Sequence, residues 1–229
     1  MKNLFWFLCF AILLAGCGHI NIMVNVQSPV IPTLLPDPDG ALLTQAVRTD
    51  SEINIDGLLN ESAWSEAIPL TYAIHSTKNG FSAATVHLLW NNDYLFVGFE
   101  VNDTQVETAD PSTLWDGDSV SILLDEGGTA EYRQSLGEER NDDKAYELKP
   151  LTTLNEPADT DSGYTVEMRI KWQAVPQPEK RIPADLLSVD HDANPGSKYS
   201  DPATIFSKLS WDGDGDISTA KANLLLVER

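Results

Sequence analysis

The sequence has almost no cysteine. Only Cys9 and Cys17 occur among 229 residues. Cys9 lies in an apolar N-terminal stretch of the kind removed on export, so no disulfide framework can hold the fold. Basic residues are scarce as well. Fifteen Lys and Arg stand against 35 Asp and Glu, a formal net charge of −20. Such a surface repels phosphate backbones, so no nucleic acid partner is expected. The motifs of several enzyme classes are missing: no G-x-S-x-G, no H-E-x-x-H and no Gly-rich phosphate loop. The four histidines, His19, His75, His87 and His191, show no metal-ligand spacing. Among so many acids a pair such as Asp118 and Glu147 is no sign of a glycosidase dyad. These absences point to a binding protein, not an enzyme, and no organic cofactor is expected. Beyond the N-terminus no run approaches the roughly 18 apolar residues of a membrane span.

What is present at the N-terminus is an export signal. Lys2 gives a short basic start, and residues 4–15 of "MKNLFWFLCFAILLAGCGHI" form an apolar core too short to cross a bilayer. Leu14-Ala15-Gly16-Cys17 resembles a bacterial lipobox, which implies cleavage before Cys17 and lipidation of its sulfur. An ordinary secretory signal with an incidental cysteine is the alternative. The mature chain would keep 213 residues and a net charge of about −21. Gly18 after the cysteine favours the outer membrane, if the cell has one. Residues 17–50 then read as a tether, because "SPVIPTLLPDPDG" carries four prolines that disfavour helix and extend the chain.

From residue 51 onward the pattern is that of strands in a single domain. "SEINIDG" places Ile53 and Ile55 on one side before a turn. "LLNESAW" reads as a helical turn with Asn60 as its N-cap and Trp64 folded inward. "ATVHLLW" and "YLFVGFEV" flank a hairpin signal, "NND", and place Leu95, Val97, Phe99 and Val101 on one face. "DSVSILLD" puts Val120, Ile122 and Leu124 inward. Residues 126–143 look like a long acidic loop and 173–184 like a Pro-broken one. "KAYELKP", "GYTVEMRIKW", "DLLSVDHD" and "ANLLLVE" supply further strands. Such spacing predicts an all-β fold, an antiparallel β-sandwich of immunoglobulin-like or jelly-roll type.

Four stretches occur in order: "INIDGLLNESAW", "HLLWNNDYLFVGFEVND", "LWDGDSVSILLD" and "GYTVEMRIKW". Together they resemble carbohydrate-binding module family 9, and the resemblance spans about residues 50–229. It implies a β-sandwich that holds a terminal glucose or xylose unit between two tryptophans. Trp115 takes the position of the first. The family's outward Glu is replaced by Ser121, and Glu147 aligns with its Arg. The second tryptophan lies beyond a "SW" such as Ser210-Trp211, so Trp211 is the candidate for that clamp. Trp64, Trp90 and Trp172 read as core. The resemblance thus implies a neutral oligosaccharide or polysaccharide as partner, bound at the cell envelope.

Alternate acids suggest calcium, which wants several oxygen ligands. Asp190, Asp192 and Asn194 form one candidate set, and Asp212, Asp214 and Asp216 another; relatives' structural calcium adds to the expectation. Two other readings stay open. An accessory envelope lipoprotein would use the sandwich for protein contacts. A haem-binding electron-transfer domain of the related DOMON type would need axial ligands, with Met168 and His87 as candidates.

Overall fold

The computed structural model describes residues 43–75, 81–108, 117–149, 161–192, 205–210 and 222–228; of residues 72–75, 81–82, 192 and 205–210 it describes the backbone alone. The fold is all-β. Strands β1 (Leu43–Arg48), β2 (Leu70–His75), β3 (Phe81–Trp90), β4 (Tyr94–Asn102), β5 (Ser119–Asp125) and β6 (Thr129–Ser135) come first. They are followed by β7 (Lys144–Leu148), β8 (Tyr164–Lys171), β9 (Arg181–Asp192), β10 (Ile205–Ser210) and β11 (Ala222–Val227). One 3-10 turn, Ser62–Glu66, follows the first strand.

The strands form one hydrogen-bonded path, β6-β5-β9-β11-β1-β3-β4-β8-β7, with β2 attached to β3 and β10 to β9. Pairing is antiparallel except where β1 joins β11 and β3, both in parallel. The path curls over on itself. Val120, Ile122 and Leu124 of β5 share one core cluster with Val97 and Phe99 of β4 and Met168 of β8. A flat sheet would hold these residues many strands apart. The two ends of the path meet, since Lys144 on β7 donates from Nζ to the Arg133 carbonyl on β6 at 2.8 Å.

Alternation explains most of this. Leu95, Val97, Phe99 and Val101 are buried on one face of β4, and Tyr164, Val166, Met168 and Ile170 oppose them on β8. Trp90 and Trp172 are buried with their indole N–H groups satisfied by the Val227 and Asn91 carbonyls, each at 3.0 Å. Trp64 lies in a second, smaller cluster with Val47, Ile53, Leu89 and Phe96.

Four expectations need correction. β1 falls inside the stretch read as tether, and it sits in the middle of the sheet between β11 and β3. Its short "LTQAVR" pairs in parallel with distant segments, so no turn announces it. β6 lies inside the supposed acidic loop: an edge strand carries charge readily because only one of its edges is paired. β9 starts at Arg181, within the Pro-broken stretch, and Pro183 is part of it. The N-cap position of the 3-10 turn is Glu61, not Asn60, and Glu61 makes no side-chain capping bond there.

Candidate functional site

β5 is the strand on which the site is built, and it is buried on both faces. Val120, Ile122 and Leu124 enter the main core. Ser119, Ser121 and Leu123 point the other way and are also buried. A double-sided burial of serines is unusual for an antiparallel strand, whose second face is commonly wet. Opposite Ser121 stand Arg133 of β6 and Leu187 of β9. The Arg133 Nε lies 3.8 Å from a Glu131 carboxylate oxygen, and its side chain is 13% exposed. Burial pulls the guanidinium below its usual pKa, with Glu131 and Glu138 opposing. A cation and hydroxyls on one face suit polar recognition of a small ligand.

Glu147 does not join this face. It sits on β7 opposite Thr165 of β8, and its carboxylate holds Arg140 at 2.9 Å. The strand that follows β5 is β6, so the positive group beside Ser121 is Arg133. Sequence reading missed it because β6 was taken for loop. The available signal was Gly127-Gly128 directly after β5, with Gly127 at φ +108° in a tight hairpin turn. Trp115 and Trp211 lie outside the described residues, as does Cys17.

A second polar cluster sits just before β5. One carboxylate oxygen each from Asp103, Asp118 and Asp190 lies within 4.8 Å of the others, and all three residues are buried. Asp118 accepts the Glu107 N–H at 2.7 Å and the His191 N–H at 2.8 Å, and Asp103 accepts the Gln105 N–H at 2.9 Å. Burial pushes the Asp118 carboxyl well above the usual carboxylate range, and the Asp103 and Asp190 charges add to the rise. Three buried carboxylates this close need protons or a cation. An all-oxygen set fits a hard cation such as calcium. Asp190 thus meets partners from just beyond β4 and just before β5. The Asp192 side chain, Asn194, Asp212, Asp214 and Asp216 lie outside the described residues.

A third carboxylate site has a different character. Glu167 is fully buried on the outer face of β8. It accepts the backbone N–H groups of Asp56, Gly57 and Leu59 at 2.9, 2.7 and 3.2 Å and the Trp64 indole N–H at 2.9 Å. Burial raises its pKa, and these donors oppose the rise. Although Asp56 and Glu61 lie close, the Glu167 charge is already met by N–H groups, so this cluster is structural. Gly57, at φ +90°, lies against the Tyr146 backbone, which a Cβ would meet at 2.5 Å.

The haem expectation does not survive the register. His87 stands opposite Gly98, which stands opposite Glu167, whereas Met168 stands opposite Val97. His87 and Met168 therefore point to opposite faces of the sheet and cannot ligate one iron. Met168 is wholly buried in the main core.

The all-β curled sheet is that of a sandwich-type domain. Residues 55–203 match the model of the family described as carbohydrate family 9 binding domain-like. The chain belongs to that family. A search of curated proteins found no match. Two solved structures share the fold, both carbohydrate-binding modules of family 9 from Caldicellulosiruptor kristjanssonii. The one in complex with cellotriose is 16% identical, covers 82% of this chain and 94% of its own, with a TM-score of 0.58. The one in complex with glucose is 20% identical, covers 81% of this chain and 97% of its own, with a TM-score of 0.54.

Proposed function

We propose that this protein is a non-catalytic carbohydrate-binding lipoprotein of the cell envelope. Family membership across residues 55–203 is the observation that carries the reading. The similar structures hold cellotriose and glucose, which makes neutral gluco- and xylo-oligosaccharides the first ligands to test. Trp115 supplies an apolar platform for a pyranose face. Ser121 and Arg133 supply hydroxyl contacts from the buried face of β5 and β6, with Arg133 taking the place first given to Glu147. Cys17 carries the lipid and places the domain at a membrane surface, the outer membrane where the cell has one.

Calcium has a structural role in this reading. Asp103, Asp118 and Asp190 hold it at the start of β5, directly after the segment that carries Trp115. Neutralising their crowded charge fixes Asp118, and with it the N-terminal end of β5. An array of plant, bacterial and storage glycans probed with the mature protein tests the main reading. Selective binding of gluco- or xylo-oligosaccharides is expected; no binding to any glycan on the array defeats the proposal.

A further inference from the structure

The ends of the sheet path, β6 and β7, meet without pairing in the strand register. Near this seam lies a cleft of about 410 Å³, lined by Tyr132, Lys144, Met168, Arg169, Ile170 and Lys171 together with the loop residues Asn141 and Asp143. Its volume falls within the range of small-molecule sites, roughly 300–1,000 Å³. It lies away from the aspartate cluster along the strands. β4 begins at Tyr94, opposite Lys171 of β8, and ends next to Asp103 of the aspartate cluster. The cleft and the aspartates are therefore at opposite ends of the same strands.

Its chemistry runs against the rest of the surface. The chain carries a net charge of −20 with only 15 basic residues. Three of those, Lys144, Arg169 and Lys171, line this cleft, and Asp143 is the one carboxylate among its described lining residues. Two of the cations are held in place. Lys144 Nζ bonds Glu138 at 2.7 Å, and Arg169 donates from Nε and Nη2 to one Asp143 oxygen at 3.1 and 3.0 Å. Arg169 also lies over the Tyr94 ring at 5.0 Å. Asn141 is fixed too, because its Oδ1 accepts the Asp143 and Lys144 N–H groups at 2.9 and 3.0 Å. Its amide NH2 remains a donor. Lys171 is exposed. Below this polar rim, Met168 and Ile170 are buried and Tyr132 is partly buried against the main core.

A partly exposed aromatic ring, Tyr132, suits the C–H face of a pyranose, and preset cations suit a carboxylate. We propose that this cleft is a second ligand site, selective for a carboxylated sugar of the uronic acid class. It stands on its own lining and does not depend on the β5 face.

The test is titration of the mature protein with D-glucuronate, D-glucose and acetate, followed by NMR or calorimetry. Glucuronate should bind more tightly than either of the others, and more weakly as salt rises. Lys171→Glu should weaken glucuronate binding about fivefold, a loss of ~1 kcal/mol, while the melting curve stays in place because Lys171 is exposed. Trp115→Ala should leave glucuronate binding unchanged even if it removes oligosaccharide binding, which separates this site from the proposed function. The inference is overturned by equal affinity for glucuronate and glucose, by acetate binding as well as glucuronate, or by an inert Lys171→Glu. Loss of glucuronate binding in Trp115→Ala would likewise assign the ligand to the other face.

Discussion

Trp64 donates its indole N–H to Oε1 of Glu167 at 2.9 Å, joining residues 103 positions apart in the chain. The bond closes the outer face of β4 and β8. It needs Gly98 on β4, where an added Cβ would meet Leu59 at 2.4 Å and the Trp64 ring at 3.3 Å. The short "INIDGLLNESAW" stretch is therefore a clasp. Its turn donates three backbone N–H groups to Glu167, and its tryptophan roofs the second core cluster.

Glu167→Gln tests the clasp. An amide offers one acceptor oxygen where the carboxylate offers two, and it turns an NH2 group toward existing donors. Leaving buried donors unmet costs about 1–3 kcal/mol per group, so a loss of roughly 3 kcal/mol is expected in chemical denaturation. Glycan affinity measured below the transition should hold, since Glu167 lies away from β5. A loss under about 0.5 kcal/mol would show that Glu167 does not anchor the turn.

The aspartate cluster predicts both a metal and a pH effect. A ligand that binds only the folded state adds about 2.7 kcal/mol at a hundred times its dissociation constant. Millimolar calcium should raise the melting temperature by several degrees over chelator. In chelator, the pH dependence follows from the Asp118 carboxyl, whose folded pKa is raised by burial and by Asp103 and Asp190. A raised folded pKa means stability that is present below the unfolded carboxylate range and lost as pH rises through the folded value. Metal-free protein should thus be steadier at mildly acidic than at neutral pH. Asp118→Asn should flatten that slope and remove the calcium shift together. An unchanged melting temperature with calcium in wild type would remove the metal from the account.

How much of this the sequence revealed depends on distance along the chain. Val120, Ile122, Leu124 and the β4 and β8 rows were legible because alternation is a local signal. Asp190 was legible as one of a set of alternate acids, but its partners Asp103 and Asp118 lie just outside the ends of other strands, and no spacing rule connects them. β6 was illegible because "TAEYRQS" has no apolar period, and with β6 went Arg133 and the correct neighbour of Ser121. β1 was hidden by its parallel pairing, which links distant segments and leaves no hairpin turn. The resemblance of "LWDGDSVSILLD" located the strand correctly, whereas carrying an Arg position across the unrecognised β6 gave Glu147.

The "LAGC" stretch makes the anchor testable. Two or more acyl chains give stable membrane attachment where one does not. Wild-type protein should sediment with the membrane fraction and resist high salt, whereas Cys17→Ala should appear in the soluble fraction. Mass spectrometry of the mature N-terminus should show an acylated Cys17. A Cys17→Ala protein that sediments with membranes as wild type does would end the lipoprotein reading.

The last prediction concerns Trp115, which the family resemblance makes the platform. Stacking one sugar face on an indole removes on the order of 50–80 Å² of apolar surface, worth about 1–2 kcal/mol at roughly 25 cal/mol/Å². Millimolar affinity corresponds to about 4 kcal/mol and micromolar to about 8. A platform with hydrogen bonds from Ser121 and Arg133 accounts for the first figure and falls short of the second. Ser121 offers a hydroxyl where the family pattern has a carboxylate, and the Arg133 charge is already set against Glu131 at 3.8 Å. Binding of neutral gluco- or xylo-oligosaccharides should therefore be near-millimolar, unless Trp211 completes a clamp and tightens it. Trp115→Ala should abolish that binding in calorimetry or Trp fluorescence. Its melting curve should stay close to wild type, because a rim platform contributes little to the core. A variant that unfolds would place Trp115 in the core, and a folded variant that still binds would place the sugar elsewhere.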